Sequence, residues 1–139
     1  MKEPDIPFNS YVGLRKGEAG DGFLLRLPFE KKYENHLGTF HASALFTLAE
    51  ASGGEFLLNE FRDQDLEAIP VVRRATVRYS RPATSDAGSR ASWVGTTKAD
   101  VVKELQEKRR SLFTVRVEIF TPDQQKIMTA DFEWFVALK

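Results

Sequence analysis

A chain of 139 residues, 42% hydrophobic and 29% charged, is long enough to bury a real core, and its length predicts one domain over residues 1–139. Its 20 basic and 20 acidic side chains cancel, so no global field favours nucleic acid or an anionic membrane, and neither partner is expected. The absence of cysteine excludes disulfides, thiolate metal sites and a cysteine nucleophile, and it fits a cytoplasmic protein.

Met1 to Ser10 is polar, holds no apolar signal core, and reads as an irregular lead-in because Pro4 and Pro7 oppose regular structure. Tyr11 to Glu18 is predicted as a first strand, followed by a turn at Gly17–Gly22. Phe23, Leu25, Leu27 and Phe29 alternate on one face of a second strand. Glu30 to Gly38 is a polar loop leading into a helix over about Phe40–Phe61, with Thr39 as its expected N-cap. Gly53 and Gly54 weaken that helix by about 1 kcal/mol each, yet the pattern keeps it continuous. They would also let a partner backbone or ligand approach closely.

Beyond Pro70 the period falls to two. Strands are predicted over Val71–Arg81, Ser89–Lys98, Leu112–Phe120 and Ile127–Leu138, with a short helix at Asp100–Arg110. Phe113, Val115, Val117 and Ile119 point inward on one strand, and Met128, Ala130, Phe132, Trp134 and Val136 on the last. The later strands alternate too cleanly for a doubly covered parallel sheet. An α+β domain is expected, one antiparallel sheet of five to six strands curled around one long apolar helix.

Glu50 is the only formal charge between Phe40 and Gly54. A carboxylate inside an apolar helix is costly to bury without a partner, so it demands a reason. Ser43, Phe46, Thr47, Glu50, Gly54 and Leu57 share one helical face, while Leu45, Leu48 and Phe56 lie on another. The second face is predicted to pack on the chain's own sheet. The Glu50 face would then look into a cleft or a second subunit.

The order of elements, and the run Asn35-x-x-Gly38-x-x-His41-x-x-x-Leu45-Phe46-x-Leu48-Ala49-Glu50, resembles the hotdog-fold acyl-CoA thioesterases, above all the phenylacetate-pathway branch and related domains of unknown function. The resemblance covers nearly the whole chain, with Tyr79-Ser80-Arg81-Pro82-Ala83 matching the end of the family's third strand. It implies a homodimer, or a tetramer, hydrolysing acyl-CoA or a similar thioester. Glu50 would be general base or nucleophile, Asn35 would help hold water or the thioester, and the backbone N–H of Ala42 would polarise the thioester carbonyl. His41, Ser43, Thr47, Gly38 and Arg81 would contribute to substrate binding. The family usually carries His-Gly-Gly where this chain has His41-Ala42-Ser43. That departure keeps a non-catalytic acyl or acyl-CoA binding module as the alternative.

Elementary chemistry agrees with this. A thioester hydrolase needs a base for water and a donor for the developing oxyanion, and free N–H groups at a helix start supply the donor. Glu50 lies about 12 Å along the helix from Ala42, so one subunit's acid cannot readily serve its own helix start. Two antiparallel helices would bring the two groups together. His41 reads as a loop-bonding residue and His36 as an exposed one. His41 and Glu50 are nine positions apart rather than the four that stack metal ligands, so no metal is expected, and no cofactor. Arginines 73, 74, 78 and 81 are candidates for coenzyme A phosphates or, equally, a solvated sheet face.

Overall fold

The structure is a computed structural model that describes residues 2–139. Six strands form one antiparallel sheet: β1 (Arg15–Lys16), β2 (Leu25–Leu27), β3 (Ala68–Tyr79), β4 (Ala87–Val94), β5 (Arg110–Phe120) and β6 (Lys126–Leu138). Their spatial order is β1-β2-β4-β5-β6-β3. The sheet curls around one long helix, α2 (Ala42–Glu60), which runs unbroken through Gly53 and Gly54. This is the architecture expected from the hydrophobic pattern.

Period-two alternation becomes a core because every second side chain of β5 and β6 faces α2. Val115, Val117, Ile119, Met128, Ala130, Phe132 and Val136 are fully buried there. From the helix, Leu45, Leu48, Ala49 and Leu57 meet them, and the ring of Phe46 stands edge-on to Phe132 at 5.7 Å. Phe56 packs instead at the helix side, in an aromatic cluster with Trp93 and Phe113. The two glycines are explained by the chain itself rather than by an outside partner. A Cβ at Gly53 would stand 3.0 Å from the ring of Trp134, and one at Gly54 would overlap the side chain of Glu3.

The N-terminal expectations need correction. Residues Glu3–Asp5 form a turn of 3-10 helix and Pro7–Val12 a short helix, α1, where an irregular lead-in and the start of a strand were expected. Both prolines sit in first turns, where a missing N–H costs nothing and the fixed φ favours helix. The strand over Tyr11–Glu18 shrinks to Arg15–Lys16, because Gly13 turns the chain out of α1 with φ 98°. The helix between β4 and β5, α3 (Lys98–Lys108), buries Val101 and Leu105 and is capped by the Thr97 hydroxyl.

One buried charge pair ties the sheet edge to α2. Glu55 is 2% exposed, and the Lys16 ammonium from β1 bonds its Oε1. Its Oε2 has no acceptor role among the described residues. Removing the cation would strand a buried carboxylate. Lys16→Met is therefore expected to cost about 3 kcal/mol, the lower end for a broken buried pair because half of Lys16 faces water. Urea unfolding at pH 7 checks this, and Lys16→Met/Glu55→Leu should recover most of the loss. An unchanged midpoint in the single variant would show the pair to be idle.

Candidate active site

The site begins in the loop before α2. Asn35 organises it: its Oδ1 accepts from the N–H groups of Leu37 and Thr39, at 2.9 and 3.0 Å, and its amide lies 2.9 Å from the Thr39 hydroxyl. Gly38 completes the turn at φ 74°, a left-handed conformation that a side chain rarely adopts. With its hydroxyl engaged by Asn35, Thr39 does not cap the helix. The cap is His41, whose Nδ1 accepts the Ser43 N–H at 3.0 Å. Thr39 was expected there because it is a common capping residue. The helix starts two residues later, and an imidazole nitrogen takes the role.

This capping scheme decides which donors remain. The N–H groups of Ala44 and Leu45 both point to the carbonyl of His41, at 3.1 and 3.2 Å. Ser43 is taken by the His41 ring. Within the first turn, and among the described residues, the N–H of Ala42 alone has no acceptor. It opens at the positive end of a 19-residue helix. Tyr79, at the end of β3, donates its hydroxyl to the Ala42 carbonyl at 3.2 Å and so fixes the helix start against the sheet. Its phenol is pushed above its ordinary pKa by burial.

A pocket of about 260 Å³ opens here, lined by Asn35, Ala42, Leu45, Tyr79, Arg81 and their neighbours. The sequence-predicted residues Asn35, Ala42 and exposed Arg81 thus converge on one concavity. A larger open depression, about 650 Å³, lies beside it on the sheet, carries Arg78 and Lys126, and shares Tyr79 and Ser80 with the first. Gly38 and His41 shape the loop and cap without lining the smaller pocket, and Ser43 is exposed beside them. Thr47 donates to the Ser43 carbonyl at 3.0 Å, a bond within its own helix.

Glu50 is absent from that pocket, as the helix rise requires. It is half-buried two turns further on, with neither ion pair nor hydrogen bond among the described residues. Burial raises its carboxyl above the ordinary 4.5. One charged neighbour had no forecast from sequence. Glu3 lies over Gly54, one helical turn beyond Glu50 on the same face, and its carboxyl is raised to about 7 by burial and by the charge of Glu50. Asn9, 5% exposed, donates to the Glu3 carbonyl at 2.9 Å and to its Oε2 at 3.2 Å. The available signal was a proline at the first position of a short helix, which makes the lead-in an ordered strap. Among the described residues no three His, Asp or Glu side chains converge on one point, and no helix is long and apolar enough to cross a membrane.

Solved structures share this fold. A Pseudomonas aeruginosa protein of unknown function, described as a probable thioesterase, is 27% identical with a TM-score of 0.82, over 99% of this chain and 91% of that one. A thioesterase family protein from Silicibacter pomeroyi is 17% identical, TM-score 0.71, over 96% and 90% of the two chains. A Bacillus halodurans protein solved with CoA is 19% identical, TM-score 0.62, over 81% of this chain and 65% of that one. The last two likenesses are of fold alone. No curated protein matches this chain by sequence. A family model, described as a domain of unknown function (DUF4442), matches residues 11–136. With that match across nearly all of its length, and with a six-stranded sheet wrapped on one helix, the chain belongs to the DUF4442 family and has a thioesterase-like hotdog fold.

Proposed function

We propose that this chain acts as a single hotdog domain, pairs as a homodimer, and hydrolyses acyl-CoA-type thioesters at sites shared between the two copies. The observation that carries the reading is a pair of groups on one helix that find no partner among the described residues: the half-buried Glu50 carboxylate and the Ala42 N–H. Each is costly or idle alone, and they are about 12 Å apart in one subunit. A two-fold axis crossing the two helices near Phe46 sets each acid against the other copy's donor.

Support for pairing comes from β3. Its twelve residues bond to β6 on one side only, and Ile69 and Val71 are about half exposed on it. A long, uncovered edge strand with apolar side chains is a template for another copy of itself.

In the proposed reaction Glu50 takes a proton from water as the water oxygen bonds the thioester carbonyl carbon. The carbonyl electrons move onto oxygen, and the N–H of the partner subunit's Ala42 donates a hydrogen bond to that oxyanion. Collapse of this adduct breaks the C–S bond, and the departing thiolate takes back the proton that Glu50 removed from water, which restores the free carboxylate. A raised carboxyl pKa suits a base working near neutrality. Asn35 holds the loop that aims the Ala42 N–H. Arg78 and Arg81 at the adjoining depressions suit the phosphates of coenzyme A. The Bacillus halodurans relative solved with CoA is in keeping with that ligand.

A second reading, a binding module without turnover, is favoured by the Ala42 side chain lining the pocket where the resembled family has glycine. Free-thiol release from a panel of acyl-CoAs, with ligand binding followed by calorimetry, separates the two. Hydrolysis by a species of twice the 15.8 kDa chain mass is expected. Binding without release would establish the module, and a functional monomer would contradict the shared site.

A further inference from the structure

A separate pocket lies at the other end of α2, and its lining is apolar. It holds about 260 Å³. Leu57, Leu58 and Phe61 line it from the last turns of the helix, Leu66 from the connection that follows, and Ala68 and Val136 from the adjoining ends of β3 and β6. Of its nine lining residues only Arg62 and Gln64 are polar. Leu57 is 1% exposed and Leu58 39%, so the pocket runs from the surface to the core.

Helix and sheet both lead to this pocket from the site already described. Along α2, Leu57 and Phe61 lie about 10 and 16 Å beyond Glu50 by helical rise. On the helix surface the line through Glu50, Leu57 and Phe61 runs between Gly53 and Gly54. Trp134 fills the space left by the first glycine and Glu3 that left by the second, so the two stand on either side of the line. On the sheet, Ala68 and Tyr79 are the two ends of β3. An antiparallel pairing of β3 with its own copy about its middle sets Ala68 of one copy opposite the Tyr79 end of the other. The apolar pocket of one copy then adjoins the helix-start pocket of its partner, as the crossing that sets Glu50 against Ala42 also requires.

We propose that this pocket receives the far end of an unbranched acyl chain, so that the protein prefers thioesters of about ten to fourteen carbons. The inference rests on the reading of Glu50 and Ala42 as a shared hydrolytic site, which places the thioester carbon beside Glu50. An extended hydrocarbon advances about 1.3 Å per carbon, so the carbons from about the eighth to the thirteenth lie along Leu57 to Phe61. Those are about six methylenes, and the pocket has room for about eight groups of the ~30 Å³ that a water takes in the liquid. A single chain fits such a space, whereas a helix of another protein, about 10 Å across, does not.

The test is kcat/KM of the full-length protein for straight-chain acyl-CoAs from hexanoyl to hexadecanoyl. Each methylene that leaves water is expected to raise it about three- to fourfold between octanoyl and dodecanoyl, about 100-fold in all, with no further rise beyond tetradecanoyl. Ala68→Phe fills the pocket from the sheet and Leu58→Trp from the helix. Each should bring the dodecanoyl-to-octanoyl ratio below about tenfold while hexanoyl-CoA hydrolysis stays within about twofold of wild type. A flat wild-type profile from hexanoyl to dodecanoyl, or a ratio that neither variant lowers, overturns the proposal and leaves the hydrolytic reading standing. Absence of thiol release from every acyl-CoA overturns that reading instead. Calorimetry with hexanoyl-CoA and dodecanoyl-CoA then still decides the pocket. Equal affinities rule it out, and dodecanoyl binding at least about tenfold tighter, with the difference lost in both variants, upholds it.

Discussion

Glu50→Gln is expected to slow acyl-CoA hydrolysis by about 10²–10⁴-fold at pH 7, mostly in kcat. The amide has the shape of the acid and cannot accept the proton of water. KM should change little, because Glu50 in this reading acts on the attacking water rather than holding the acyl-CoA. The same substitution should leave the folded protein as stable as the wild type or more so. A half-buried carboxyl raised by burial makes the fold weaker as pH rises above the ordinary 4.5, and a neutral side chain removes that dependence. Loss of activity together with unchanged or higher thermal stability is the signature of a functional rather than a structural carboxylate. A large drop in stability with activity retained per folded molecule would identify Glu50 as a structural group.

The second large effect is expected at Ala42→Pro. Position 42 is the first residue of α2, and His41 before it is extended, with φ −64° and ψ 136°. Proline is favoured at a first helical position, and the residue preceding it prefers that extended backbone. The substitution deletes one N–H, which has no acceptor among the described residues, and leaves the helix in place. Loss of an oxyanion donor is expected to cost about 10²–10³-fold in kcat. Far-ultraviolet circular dichroism should be unchanged. A fully active proline variant would show that the thioester oxygen is stabilised elsewhere.

The fold was legible where periodicity was strong. Val115, Val117 and Ile119, and Met128, Ala130 and Phe132, alternate inward as their spacing requires, because a strand with one buried face admits no other register. The long helix was equally plain, since its apolar run outlasts any strand. Legibility failed at the N-terminus, where Pro4 and Pro7 read as breakers but act as helix starters. That error hid Glu3, whose place over Gly54 is a contact across some fifty residues that local pattern cannot carry. The helix cap failed for a related reason: Thr39 is a good cap in isolation, but Asn35 engages it first. Within the site, the sequence named Asn35, Ala42 and Glu50 as residue types suited to the chemistry. Their division into a helix-start pocket and a separate acid, unpaired among the described residues, emerges only in three dimensions.

The most direct test is subunit complementation. Glu50→Gln and Ala42→Pro dimers are prepared separately, each nearly inactive, then mixed in equal amounts, dissociated and reassembled. If acid and donor come from different copies, each mixed dimer regains one intact site, and the mixture should recover about a quarter of wild-type activity. If both groups serve a site within one copy, every site in the mixture is damaged and activity stays at the level of the two variants, which would contradict the shared site.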